Sequence, residues 1–122
     1  MNETETGRRG EELAAGFLVG RGWRILDRNY RAGSKELDLV ARRHGVLAFV
    51  EVKTRRGSEF GHPLEAITRR KRGEVAACAR AWLREHPTPG NLLRRFDAVS
   101  VRLGPDGSSV VEHVEDAWRV GD

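Results

Sequence analysis

The sequence predicts one α/β domain with the element order α-β-β-β-α-β-β, and three observations carry that prediction. Its 122 residues suit a single domain. Two stretches repeat their apolar residues at helical spacing, and five others alternate or are dense in β-branched residues. The breaks between them are short and marked by Gly, Pro and Ser, with no linker, internal repeat or low-complexity tract.

Residues 1–6 are polar and are expected to be disordered at the edge of a domain spanning 1–122. From Arg8 to about Arg21, Leu13, Ala14, Phe17 and Leu18 form a helical stripe, with Thr6 as the predicted cap and Gly20 and Gly22 as the stop. Trp23–Tyr30 reads as a strand, followed by a turn in RAGSK. Glu36–Arg42 alternates and Val46–Thr54 is strongly β-forming, so the intervening His44-Gly45 reads as a hairpin turn, histidine tolerating positive φ better than most residues. Residues 55–63 are expected to form a loop. Leu64–His86 reads as mostly helical in two pieces, Thr68 capping the longer one, with Val75, Ala79, Trp82 and Leu83 inward and Pro87 and Pro89 as the stop. Arg95–Leu103, a turn at Gly104–Gly107 and Ser109–Val114 supply the last two strands.

Composition narrows the class. Hydrophobic residues make up 39% and charged residues 33%, so the chain carries enough apolar surface to fold. The single cysteine, Cys78, excludes an internal disulfide and argues against a cysteine-based zinc site. MNETETGRRG has no apolar core of a secretory signal, and no run approaches the ~18 apolar residues of a membrane span, so a cytoplasmic protein with no membrane partner is expected. Twenty-two Lys and Arg against 18 Asp and Glu give a net charge of +4, which points weakly to a polyanionic partner.

The central hairpin holds the chemistry. With His44 and Gly45 as the loop, opposed residue numbers add to 89, which sets Asp38 against Glu51 and Glu36 against Lys53. Period-2 geometry then puts those four side chains on one face, and Leu37, Leu39, Ala41, Ala48, Val50 and Val52 on the other. Directly opposed carboxylates have Cβ atoms about 4.5–5.5 Å apart. At ~5 Å and an effective dielectric of ~20 their bare repulsion is roughly 3 kcal/mol. A shared proton, Lys53 or a divalent cation such as Mg²⁺ would offset it. Plain surface ion pairs are the competing reading, though Val40, Leu47 and Phe49 on the same face indicate a covered surface.

Asp38 with Glu51-Val52-Lys53 resembles the D…E-x-K motif of the restriction-endonuclease-like (PD-(D/E)xK) nucleases. GRRGEELAAGFLVGRGW, DRNYR, ELDLVA, FVEVKTR, FGHPLEAIT, Lys71 and RFDAVSV, in that order, are more closely similar to the bacterial YraN-like family, uncharacterised relatives of that superfamily. The resemblance implies a restriction-endonuclease-like fold, a mixed central sheet of about five strands flanked by helices. It implies a divalent-metal-dependent nuclease hydrolysing phosphodiester bonds of DNA, of branched or repair and recombination intermediates, with Mg²⁺ or Mn²⁺ as cofactor. Asp38, Glu51 and the carbonyl of Val52 would hold the ion, Glu11 would add a carboxylate, Lys53 would orient the attacking water, and Glu36 matches the glutamate of the family's G-E-I-D element. Lys35 stands where that element has glycine.

Arg55 and Arg56 after the motif strand, and Arg69, Arg70 and Lys71 opening the long helix, are the candidate nucleic-acid contacts, with Lys71 preferred because the family pattern has a lysine there. Solvated helix and strand surfaces are the plainer reading of the same charges. His44, His62, His86 and His113 lack metal-ligand spacing, His62 alone lying where it could approach a substrate. Cys78, Trp23, Trp82 and Trp118 read as core. Two other functions share the fold: a non-catalytic nucleic-acid-binding module and a protein-interaction subunit. A homodimer is a further expectation, by analogy with nucleases that cut two strands.

Overall fold

The computed structural model describes residues 1–57 and 67–120. Five strands form one sheet in the order β1-β2-β3-β4-β5: β1 (Arg24–Ala32), β2 (Lys35–Arg43), β3 (Val46–Arg56), β4 (Leu93–Leu103) and β5 (Ser109–Trp118). All neighbours are antiparallel except β3 and β4, which are parallel and are joined across the sheet by α2 (Arg69–Glu85). α1 (Glu3–Gly20) covers one face and α2 the other, so the predicted mixed sheet flanked by helices is found, in the predicted element order. Among the described residues, no helix is long and apolar enough to cross a membrane.

α1 is longer than its apolar stripe suggested. Asn2, not Thr6, is the N-cap, its side chain accepting from Glu5 N–H at 2.9 Å, and Glu3 and Glu5 favour the helix's positive end. Residues 3–6, expected to be disordered, are therefore helical. Thr68 caps α2 as predicted, its hydroxyl accepting from Lys71 N–H at 3.1 Å. β3 runs on through Arg56 and β5 through Trp118, beyond their predicted ends. His62 and the start of the predicted helix at Leu64 lie outside the described residues.

Two apolar layers result. Ala14, Ala15 and Leu18 of α1 pack on Leu39, Ala41, Ala48 and Val50, while Val75, Cys78, Ala79 and Trp82 of α2 pack on Leu37, Val40, Leu47 and Phe49. Leu37 thus sits on the opposite face from Leu39, correcting the expectation that the two share one. Strict alternation fails because β1 and β2 are irregular there. Asn29 takes a left-handed φ of 51° between the pairs Arg28↔Leu39 and Tyr30↔Leu37, and Asp38 lies between the same two pairs.

Gly10 fixes how closely α1 seats on the sheet. A Cβ there would overlap Thr54 Oγ1 and lie 2.7 Å from that residue's Cβ and Cγ2. Gly10→Ala is expected to destabilise by about 1–3 kcal/mol through overpacking. Gly16→Ala on the same helix, where a Cβ meets nothing within 4 Å, is expected to stabilise by about 0.5–1 kcal/mol through helix propensity. Urea midpoints of the two variants check the contrast in sign.

A buried acid organises the β4–β5 edge. Asp97, fully buried, takes a two-pronged bond from Arg95 (Nε to Oδ1 2.8 Å, Nη2 to Oδ2 3.0 Å), lies 2.7 Å from His113 Nε2, and accepts from Asp116 N–H at 3.0 Å. Burial alone would raise its pKa, but His113, Arg95 and the Asp116 amide outweigh it and hold the carboxyl below its ordinary value. The last of these bonds stitches a bulge: one residue of β4 separates Phe96 from Ala98, whereas three of β5 separate Val114 from Trp118, with Asp116 at φ 50°. Asp97→Ala leaves Arg95 without its main partner and is expected to cost about 3–5 kcal/mol in chemical denaturation.

Candidate functional site

The hairpin register is the predicted one for five pairs, from Arg43↔Val46 to Leu39↔Val50, with His44 in the left-handed region at φ 52°. There the pairing stops. In place of a further backbone pair, Asp38 Oδ2 accepts the Val52 N–H at 2.8 Å. A side chain has replaced a strand partner, and the two strands part around it.

Four carboxylates converge on that opening. Oxygens of Glu11, Glu36 and Asp38 lie within 4.8 Å of one another. Asp38 also hydrogen-bonds Glu51, whose Oε2 lies 3.6 Å from Lys71 Nζ on α2. Asp38 and Glu51 therefore face each other as the register predicts, but Glu36 turns toward Glu11 of α1 because the alternation slips at Asp38. The four motif side chains do not share one face. Each outer acid has a tether: Asn29 Nδ2 donates to Glu11 Oε2 at 3.2 Å, and Arg31 pairs with Glu36 at 3.2 Å.

Neutralisation is incomplete. Burial, then the hydrogen bond and charge of Asp38, push Glu51 up to about 9 despite Lys71. Burial, then Asp38 and Glu36, raise Glu11 to about 7. Glu51 Oε2 is buried and makes no hydrogen bond among the described residues, Lys71 Nζ at 3.6 Å being its ion-pair partner. Such an atom costs free energy unless something binds it. An all-oxygen donor set with more carboxylates than neighbouring cations, one of its buried oxygens lacking a hydrogen bond among the described residues, fits a hard divalent cation.

The centre opens into a cleft of about 560 Å³ between the start of α1 and the end of β3, lined by Glu11, Val52, Lys53, Thr54 and Arg56 among others. Lys53 is exposed on this cleft, and the amine nearest the buried carboxylate is Lys71. The sequence singled out Lys71 without revealing its contact with Glu51, because that contact depends on how α2 crosses the sheet. Of the other basic candidates, Arg70 pairs with Glu74 at 3.5 Å and Arg56 donates to Met1 O at 3.2 Å, while Arg55 and Arg69 carry no ion pair among the described residues. The Asp97 network lies outside the motif residues, its one signal in the sequence being an aspartate inside the apolar run RFDAVSV with Arg95 two residues earlier.

Because Glu11 and Glu51 have raised values in the folded state, the native protein holds more protons than the unfolded chain above the ordinary carboxylate value of 4.5. Their contribution to stability is present below that pH and is lost as pH rises through about 7 and towards 9. Melting temperature in a chelator is expected to fall across this window, with a shallower fall in Glu51→Gln. A flat or rising wild-type profile contradicts the assignment.

The profile of the uncharacterised protein family UPF0102 matches residues 10–101. A UPF0102 protein of Nocardia farcinica is 48% identical over 109 residues, covering 89% of this chain and 85% of its own. One from Clavibacter michiganensis subsp. michiganensis is 44% identical over 115 residues, covering 94% and 97%. Among solved structures, Pyrococcus furiosus SfsA in complex with Ca²⁺ is similar at a TM-score of 0.38 and 14% identity, over 93% of this chain and 64% of that one.

Proposed function

For this chain, which belongs to the uncharacterised protein family UPF0102, we propose the activity of a divalent-metal-dependent nuclease that hydrolyses phosphodiester bonds of DNA. The observation that carries the reading is the parted β2–β3 hairpin, where Glu11, Glu36, Asp38 and Glu51 crowd together and Glu51 Oε2 is buried with no hydrogen bond among the described residues, only the Lys71 ammonium 3.6 Å away. Those four residues, with the carbonyl of Val52, would hold the ion. A bound Mg²⁺ or Mn²⁺ supplies Lewis acidity to the phosphate and lowers the pKa of water.

The chain's own residues do the rest. Asp38, anchored on the Val52 amide, keeps a fixed orientation between Glu11 and Glu51. Burial of Glu51 keeps bulk water from screening the centre, so fixed charges act strongly on a phosphate. Lys53, on the cleft wall with Glu11, orients the attacking water, and Lys71 balances charge beside Glu51. Lys35, in place of the family's glycine, adds an exposed cation at the start of β2.

The test is cleavage of single-stranded, duplex and branched DNA with and without Mg²⁺ or Mn²⁺. Asp38→Asn and Lys53→Ala are each expected to lower the rate about 100-fold or more. Wild type should gain about 2.7 kcal/mol of stability at a cation concentration 100 times its dissociation constant, and Asp38→Asn should lose that gain. Activity that survives both substitutions rules the assignment out.

A further inference from the structure

We propose a second site, on the α2 face of the sheet: a cavity that takes one unpaired base of a single-stranded nucleic acid, the flanking phosphates lying on arginines at its rim. The proposal deepens the nuclease reading by naming the form of substrate, and it rests on the nucleic-acid part of that reading.

The cavity, about 550 Å³, lies between α2 and the paired ends of β4 and β5. That volume is in the range of small-ligand sites, about 300–1,000 Å³. Its aromatic lining is Phe49, Phe96 and Trp118. Phe96 and Trp118 are stacked, with centroids 5.3 Å apart and planes at 12°, because the bulge held by Asp97 sets them opposite each other.

Trp118 is 3% exposed, and its indole Nε1 is buried with no hydrogen-bond partner among the described residues. An indole N–H is a donor with no acceptor capacity, so it calls for an acceptor atom. A nucleobase offers a π face to the half-buried ring of Phe96, and ring or carbonyl acceptors that reach the indole N–H when Trp118 turns outward.

The rim is cationic. Arg80 and Arg94 line it and carry no ion pair among the described residues. Arg119 pairs with Asp116, the one acid on the lining among the described residues, and Arg95 is held by Asp97 and Glu115. A smaller cavity of about 180 Å³ shares Trp118 and extends to Arg69 and Arg72, beside Lys71. Arg72 stands 5.8 Å over the Trp118 ring. Lys71 to Arg80 spans about 14 Å of helix, so a basic track joins the cavity to the side of the acidic centre where Glu51 lies. An apolar peptide would suit Leu93 and the aromatic rings but would leave these cations unmatched. A paired duplex keeps its base edges and faces engaged, which selects a single strand.

Fluorescence anisotropy in a chelator, where no cleavage occurs, tests the site with a labelled strand of about 12 nucleotides. The strand with bases is expected to bind about tenfold or more tightly than an abasic strand of equal length and charge at the same salt. Arg80→Glu combined with Arg94→Glu, both exposed, is expected to weaken binding by a further tenfold or so. The indole ¹⁵N–¹H resonance of Trp118, assigned through Trp118→Phe, should shift with the base-bearing strand and stay put with the abasic one.

Equal binding of the two strands, or an unmoved Trp118 resonance, overturns the proposal. So does concentration-dependent self-association that Leu93→Asp abolishes while no strand binds, since the cavity is then filled by a second copy. Base-dependent binding without cation-dependent cleavage would sink hydrolysis and keep this site. Cleavage without base dependence would do the reverse.

Discussion

One hydrogen bond organises the centre of this molecule: Asp38 takes the Val52 N–H that a continuing β-ladder would have used. Burying that amide without a partner would be costly, so a carboxylate is needed once the strands separate. The same carboxylate repels its neighbours. Glu11 and Glu36 reach it from one side and Glu51 from the other, and the fold accommodates them by raising proton affinity where cations fall short. A break in backbone pairing and a surplus of negative charge are thus two aspects of one arrangement.

Asp97 shows what full compensation looks like. It too is buried and caps a backbone N–H at an irregularity in the sheet, but Arg95 and His113 close around it and its pKa falls. The chain therefore has two aspartates in comparable backbone roles with opposite electrostatic settlements. Around Asp97 the charges are matched and the edge is rigidly joined. Around Asp38 they are not, and Glu51 Oε2 has Lys71 at 3.6 Å but no hydrogen bond among the described residues.

Much of this was legible in the sequence, for a physical reason. Local periodicity fixed the element order, and a two-residue turn at His44-Gly45 fixed the register of β2 on β3, which brought Asp38 to Glu51. What failed was the assumption that alternation persists through Asp38. Asn29 at positive φ lies across from it, and nothing in the period-2 pattern announces a slip that moves Leu37 to the other face and sends Glu36 to Glu11. Contacts between layers were equally hidden. Lys71 with Glu51 and Trp82 Nε1 with Asp27 at 3.0 Å each depend on how a helix crosses the sheet, which spacing along one strand does not encode.

The seat that Gly10 provides for α1 reaches further than packing. Glu11 is the next residue, so the gap between helix and sheet is also the aperture of the carboxylate group. No single strand sets that aperture. It is a thickness, a property of two stacked layers, and a methyl group on Gly10, which is itself no ligand, would widen it like a shim under a bearing.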